Sequence, residues 1–490
     1  MSSSRIAKNT TYLTLAVVAQ KILATVYFIF IARYFANTEV GEYTNAIYLA
    51  TIFGIFVELG FAAVLTREVA KSPERAQEYL ANVSFLKLVA MVITYGSLIG
   101  FVHIFDYPLI ARQLTVIAGL VMIVDSFNVS FYAVMRGFHN FFYEAVGVII
   151  GQTLLVGFGL FAILSGFPLP FLVVAILISS IFNFFYSAIL LYRKFHIRLL
   201  PRLQRSTLVF LLKIGAPFLL FGILMRVYGY IDTVLLYRMT SNVDVSYYAA
   251  AYKITFALTF VPAAFGSTLY PAFSEYFVTA KDKLVGTFER SMVYLLMICA
   301  PIAVGGIVLA DVLIPFIYGP NYQPAIPALQ ILMIALVFIF LGFPVGALLN
   351  ACNYQKQNTL MMGMTLFFNI AANLILIPLY SYIGAAMAII ISSAVLLFGP
   401  LYFVREIVDY NRKFLLMSVM KTVLVASVMG VVVWYLKGFV HFSVLILIGA
   451  GVYAGLLYLV KGYSVADLRF LFGSLFPRKN SYEKNTSHNP

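Results

Sequence analysis

The sequence predicts an all-α integral membrane protein with about fourteen transmembrane helices, in two six-helix lobes related as a parallel pseudo-repeat, plus two C-terminal helices. Apolar runs of about twenty residues follow one another from Tyr12 to Val460, the length that crosses a bilayer as a helix. Hydrophobic residues make up 62% of the 490-residue chain and charged residues only 11%, with a mean hydropathy of +0.95. That composition leaves no room for a soluble domain. The runs are continuous and do not alternate, which argues against an outer-membrane barrel.

In order, the spans are expected over residues 12–32, 43–65, 81–102, 113–136, 144–164, 167–192 and 209–237, and then over 246–271, 289–316, 325–350, 359–378, 382–404, 415–436 and 441–461. Met1 to Thr10, with Arg5 and Lys8, shows no small-residue cleavage site and is expected to stay as an anchor. Arg478 to Pro490 is polar and expected to be disordered. The Asn485-Thr486-Ser487 sequon is expected on the cytoplasmic side, away from glycosylation machinery.

A net charge of +14 would suggest nucleic acid in a soluble protein, but here the placement of each base decides its meaning. Alternate connections on one side hold most of the 33 basic residues, whereas the other side has Arg33, Arg112, Arg238 and Lys437. The richer side is expected to be cytoplasmic, with both termini inside a cytoplasmic membrane and no nucleic-acid partner. The densest cluster, Arg193, Lys194, Arg198, Arg202, Arg205 and Lys213, reads first as a topology determinant touching anionic head groups. Cys299 and Cys352 form neither a disulfide framework nor a metal-site spacing.

A weak internal duplication organises the chain. Gly41 to Tyr48 aligns with Val245 to Tyr252, and Ala133 to Asn140 with Ala347 to Asn353, at similar offsets. Chance likeness among apolar helices is the competing explanation. Six-helix units enter from the same side, so the halves are expected to be related by an axis along the membrane normal, with a substrate site between them. The expected divisions are 1–200, 201–410, 411–465 for the last two helices, and a cytoplasmic tail over 466–490.

Ionisable groups at mid-depth in a membrane are costly unless they meet a partner or water, so each is a functional candidate. Lys21 and Arg226 lie near the middle of their spans, at matched depths in the repeat. Together with Lys253 they suit a phosphate-bearing substrate; ion pairing with Asp232, Glu58 or Asp125, and snorkelling by Lys253, are the structural alternatives. Glu58, Asp125 and Asp232 are candidates for coupling to protons or sodium, or for gating, with structural pairing as the alternative. Arg33 and Asp311 read as interfacial. Gly215, Pro217, Gly222, Gly229, Pro262 and Gly266 allow the seventh and eighth spans to bend, or serve static packing. Tyr228, Tyr230, Tyr237, Tyr247, Tyr248 and Tyr252 suit either sugar stacking or an outer interfacial belt.

Several segments recur in a characteristic order: Arg5 to Thr10, Ala32 to Phe35 leading to Gly41-Glu42-Tyr43, Glu58 to Phe61 leading to Thr66 to Ala70, Ile317 to Tyr322, Ala347 to Ala351, and Asn373 to Tyr380 running into Ile383 to Ala386. Together they resemble the polysaccharide flippases of the multidrug/oligosaccharidyl-lipid/polysaccharide (MOP) superfamily, the branch with the Wzx-type O-antigen exporters. The chain departs from the family pattern at Phe35-Ala36, where Leu-Gly is usual. The resemblance implies a two-lobed exporter that flips a polyprenyl-pyrophosphate-linked oligosaccharide from the inner to the outer leaflet by alternating access, through a cationic cavity. Related lipid II flippases and MATE drug exporters share the architecture, so fold does not separate their substrates.

No cofactor is expected, and the partners implied are the lipid-linked oligosaccharide, membrane lipids and polysaccharide assembly proteins, with the chain acting as a monomer. A membrane glycan polymerase or ligase is the competing class. It requires a catalytic acid or base on a sizeable loop, whereas the connections here are short and carry no Asp-x-Asp, His-Glu-x-x-His, Gly-x-Ser-x-Gly or phosphate-loop motif. An enzyme is therefore not expected.

Overall fold

A computed structural model describes residues 3–460, which form sixteen α-helices and no strand. The expected tail, its sequon and the side chains of Arg5 and Lys8 lie outside the described residues. In the first part of the chain the helices are α1 (Ser3–Tyr34), α2 (Asn37–Phe53), α3 (Ile55–Glu58), α4 (Phe61–Lys71), α5 (Ala76–Ile104), α6 (Leu109–Gly137), α7 (Phe142–Leu164) and α8 (Pro170–Phe195). There follow α9 (Arg205–Met239), α10 (Asn242–Leu258), α11 (Phe260–Thr279), α12 (Lys281–Tyr318), α13 (Ile326–Ala351), α14 (Gln355–Ile407), α15 (Arg412–Leu436) and α16 (Phe442–Leu459).

Among the described residues, 13 segments are long and apolar enough to cross a membrane. The difference from fourteen lies in α14, whose 53 residues are far too many for one crossing. At Ser381 the backbone turns to φ 51°, ψ −132°, so two helices meet there. Gly384 lies so close to Leu376 that a Cβ would fall 2.2 Å from its carbonyl oxygen. The eleventh and twelfth spans therefore meet at a turn that only a residue without a side chain can complete.

The second span is broken too. α3 ends at Glu58, Leu59 and Gly60 adopt left-handed backbone, and α4 restarts at Phe61. The eighth breaks after α10, and α2 and α10 are each 17 residues long. Each also starts with an acid in its first turn reaching back to the backbone N–H just before the helix: Glu39 to Ala36 at 3.1 Å and Asp244 to Ser241 at 3.4 Å. Ala36 has extended backbone, φ −63°, ψ 149°, so the turn after Phe35 is made without a left-handed residue.

The described residues form two compact units. The first comprises 3–260, 313–332 and 355–396; the second comprises 261–312, 333–354 and 397–460. In the first, Phe61, Leu65, Tyr79, Phe131 and Leu191 form a buried cluster where α4, α5, α6 and α8 meet. In the second, Phe273, Leu284, Phe288, Val345 and Leu348 play that part. Lys437 pairs with Asp311 and donates to the carbonyl of Val308 at 2.9 Å, and Tyr453 donates to that of Met297 at 2.9 Å. Cys299 and Cys352 are both buried and free.

Candidate functional site

All six ionisable candidates lie in the first unit, on α1, α3, α6, α9 and α10. Lys21 of α1 stands 5.6 Å from the ring centre of Phe256 on α10, and Lys253 of α10 stands 4.5 Å from that of Phe28 on α1. The two contacts are reciprocal, each helix giving one cation and one ring. The spacing follows from the helix: Lys253 and Phe256 are three residues apart and share a face. Tyr248, Tyr252 and Phe256 repeat every four residues and stack at 5.7 and 5.5 Å, extending that aromatic face.

A ring holds an ammonium by its quadrupole without neutralising it, a contact worth about 0.5–2 kcal/mol. Lys21 and Lys253 are partly exposed and enter none of the ion pairs among the described residues. Arg226 on α9 is exposed and likewise enters none of them. No described contact joins Arg226 to Lys21.

Lys87 is wholly buried and donates from Nζ to the carbonyl of Ser126 on α6. Sequence reasoning missed it, although a lysine three turns into α5 was a visible signal. Glu58 accepts from the backbone N–H groups of Gly60 at 2.8 Å and Ala62 at 3.0 Å, so its carboxylate caps the start of α4 across the break. Asp125 accepts from Asn128 Nδ2 at 3.2 Å. None of these acids forms an ion pair with Lys21, Arg226 or Lys253 among the described residues.

Asp232 on α9 is 2% exposed and accepts from Tyr248 Oη at 3.2 Å and from Asn373 Nδ2 of α14. Asn373 Nδ2 also donates to the carbonyl of Asn369 at 2.9 Å, and Asn369 Nδ2 to Ser392 Oγ at 3.3 Å. The Oδ1 atoms of both asparagines are buried without a hydrogen bond. A carboxylate beside two unsatisfied amide oxygens offers hard oxygen donors to a small cation. Sequence reasoning found Asp232 but not the asparagines, whose signal was their four-residue spacing in an apolar run. Among the described residues no group of three His, Cys, Asp or Glu side chains could hold a metal ion.

The tyrosines pack inward. Tyr230 meets Tyr48 at 4.8 Å, Tyr237 stacks on Tyr107 at 5.1 Å, Tyr247 meets Tyr382 at 5.6 Å, and Tyr228 shares a 3.3 Å hydrogen bond with Ser392. At the near ends of α2 and α10, Asn242 donates to Glu42 at 3.1 Å, and a Cβ on Gly41 would lie 1.8 Å from the Asn242 carbonyl oxygen. Arg33 is tied to the carbonyls of Ile317, at 2.8 Å, and Phe316.

Residues 6–277, more than half of the chain, match the family described as polysaccharide biosynthesis protein. The chain belongs to that family. The capsular polysaccharide biosynthesis protein CapF of Staphylococcus aureus is 23% identical over 416 residues, covering 82% of this chain and 99% of CapF. An uncharacterized membrane protein of Methanocaldococcus jannaschii is 25% identical over 193 residues, 38% of each chain, so the match spans well under half of that relative. Among solved structures, the lipid II flippase MurJ in an inward closed conformation aligns with a TM-score of 0.71 at 18% identity, covering 94% of this chain and 99% of that one. An inward-facing MATE family transporter of the MOP superfamily aligns at 0.63 and 16% identity, covering 81% and 97%. At these identities the structural likeness establishes the fold. This member of the polysaccharide biosynthesis family is a multi-pass membrane protein with the MOP architecture.

Proposed function

We propose that the chain is a flippase that moves a polyprenyl-diphosphate-linked oligosaccharide from the inner to the outer leaflet of the cytoplasmic membrane, with both termini inside. Lys21, Lys253 and Arg226 hold the diphosphate, Arg226 by its planar fork and the lysines as point charges. The observation that carries this reading is that all three cations lack an ionic partner among the described residues, two of them being held by rings that leave their charge unneutralised. An anion arriving there supplies the missing counter-charge, which lowers the cost of carrying a diphosphate through a low-dielectric layer. The glycan travels with the head group while the lipid tail stays in the bilayer. The reading agrees with the family and with the name of CapF.

Asp232, with the free oxygens of Asn369 and Asn373, is proposed as the site that exchanges a proton or sodium during the cycle. Glu58 and Asp125 take part in gating on this reading, Glu58 through the broken second span whose restart it caps. The chain works as a monomer beside polysaccharide assembly proteins.

The test is reconstitution of the purified full chain in proteoliposomes with a leaflet-resolved assay of lipid-linked oligosaccharide. Protein-dependent flipping, with glycan length unchanged, is expected. Longer glycans would indicate a polymerase, flipping of lipid II alone would move the substrate to that class, and uptake of organic cations without flipping would indicate a drug exporter.

A further inference from the structure

Between α5, α6 and α8 lies an apolar groove of about 530 Å³ that has no part in the cation site. Val124, Phe127, Phe131, Phe184 and Phe185 line it, with Ser84 as a polar side chain among them. The volume is that of a site for one small ligand or chain, within the range of about 300–1,000 Å³ usual for such sites. From Ser84 to Met91 its wall follows two turns of α5, so it runs about 10 Å along the helix.

The connection between α8 and α9 contributes Leu199 and Pro201 to the lining of the groove. That irregular segment is fixed in place: Ile197 is buried, the Arg202 N–H donates to the carbonyl of Ala81 at 3.2 Å, and the Gln204 N–H donates to Asn82 Oδ1 at 2.7 Å. Arg198 and Arg202 directly flank the two lining residues, and both, with Arg205, are exposed and outside the described ion pairs. Glu78, the acid that meets this region through Thr207, is already paired with Arg75 at 3.0 Å. An apolar groove thus lies beside positive charge that no ion pair among the described residues neutralises.

We propose that this groove binds one anionic glycerophospholipid from the leaflet beside the basic connection, with an acyl chain along Phe127, Phe184 and Phe185 and the phosphate at Arg198 and Arg202. The cluster of bases between the sixth and seventh spans is then one wall of a defined lipid site, beyond its part in setting topology. The charge selects the occupant: a zwitterionic lipid brings its own cation and gains little from two arginines, whereas each base attracts a net anion.

The test places an indole in the groove by Phe185→Trp in a Trp434→Phe background, and measures its quenching in vesicles of brominated phosphatidylglycerol mixed with brominated phosphatidylcholine. Phosphatidylglycerol is expected to be preferred about tenfold, and Arg198→Gln with Arg202→Gln to bring the preference within about twofold of equality. Equal quenching by both lipids would overturn the proposal, as would a preference that survives loss of the arginines. Displacement of phosphatidylglycerol by a smaller mole fraction of polyprenyl phosphate would also overturn it, by making the occupant a carrier lipid. Native mass spectrometry of the chain without the indole substitutions, counting retained phosphatidylglycerol with and without the two arginines, gives the same decision should Phe185→Trp not fold.

Discussion

Lys253 Nζ stands 4.5 Å from the centre of the Phe28 ring, and the same two helices repeat the contact in the opposite sense, with Lys21 at 5.6 Å from Phe256. Both lysines are thereby oriented by rings and left with their charge available. In the proposed flippase, that pair of contacts sets two of the three cations that meet the anionic head group.

Lys253→Met is expected to lower the flipping rate by about tenfold or more, since a hydrogen bond to a charged group contributes roughly 1.5–3 kcal/mol. Lys253→Arg keeps the charge and the capacity to lie over Phe28, so it should retain most of the activity. Initial rates in proteoliposomes at matched protein content check both.

Glu58 acts on the backbone of the broken second span, so side-chain chemistry there separates a cap from a titrating group. Glu58→Gln keeps one acceptor oxygen and leaves one of the Gly60 and Ala62 N–H groups without its partner, so it should lose part of the about 1 kcal/mol that Glu58→Ala costs. If the charge itself serves gating, Glu58→Gln slows flipping by far more than its partial loss of stability explains. Thermal unfolding in detergent, read beside the flipping assay, resolves the two effects.

Gly41→Ala drives a Cβ against the Asn242 carbonyl, where neither backbone can yield cheaply. A loss of about 1–3 kcal/mol is expected from overpacking. Gly100, with nothing within 4 Å of its Cβ direction, is the control, and Gly100→Ala should not destabilise. Thermal unfolding of the two variants measures the contrast.

Asp232→Asn retains an oxygen that can accept from Tyr248 but removes the buried charge that Asn373 Nδ2 donates to. Flipping should then lose its response to an imposed proton or sodium gradient while the protein stays folded. A variant that responds as the parent does would remove Asp232 from ion coupling.

The spans were legible because an apolar run of bilayer length has few alternatives, and the charges of Lys21, Lys253 and Asp232 stood out against that background. The breaks were less so. Ser381 is an ordinary residue with positive φ, at a turn where Gly384 comes close to Leu376, and nothing in its residue type announces that backbone. Leu59 and Gly60 sat in a segment noticed for its resemblance but not read as a break. Lys87 was visible as a charge in the third span yet was not singled out, and its partner, the Ser126 carbonyl, belongs to another helix. Asn369 and Asn373 are neutral amides, whose importance comes from facing a carboxylate distant in sequence. The rings under Lys21 and Lys253 likewise lie on partner helices, which the sequence of either helix alone does not reveal.

The most direct measurement is leaflet-resolved transport of a polyprenyl-diphosphate oligosaccharide by the Lys21→Ala, Arg226→Ala double variant, compared with the parent protein in the same vesicles. Removing two of the three cations is predicted to reduce the rate by about a hundredfold, at roughly tenfold for each lost charge contact. Transport at the parent rate by a folded double variant would contradict a role for these cations in carrying the head group.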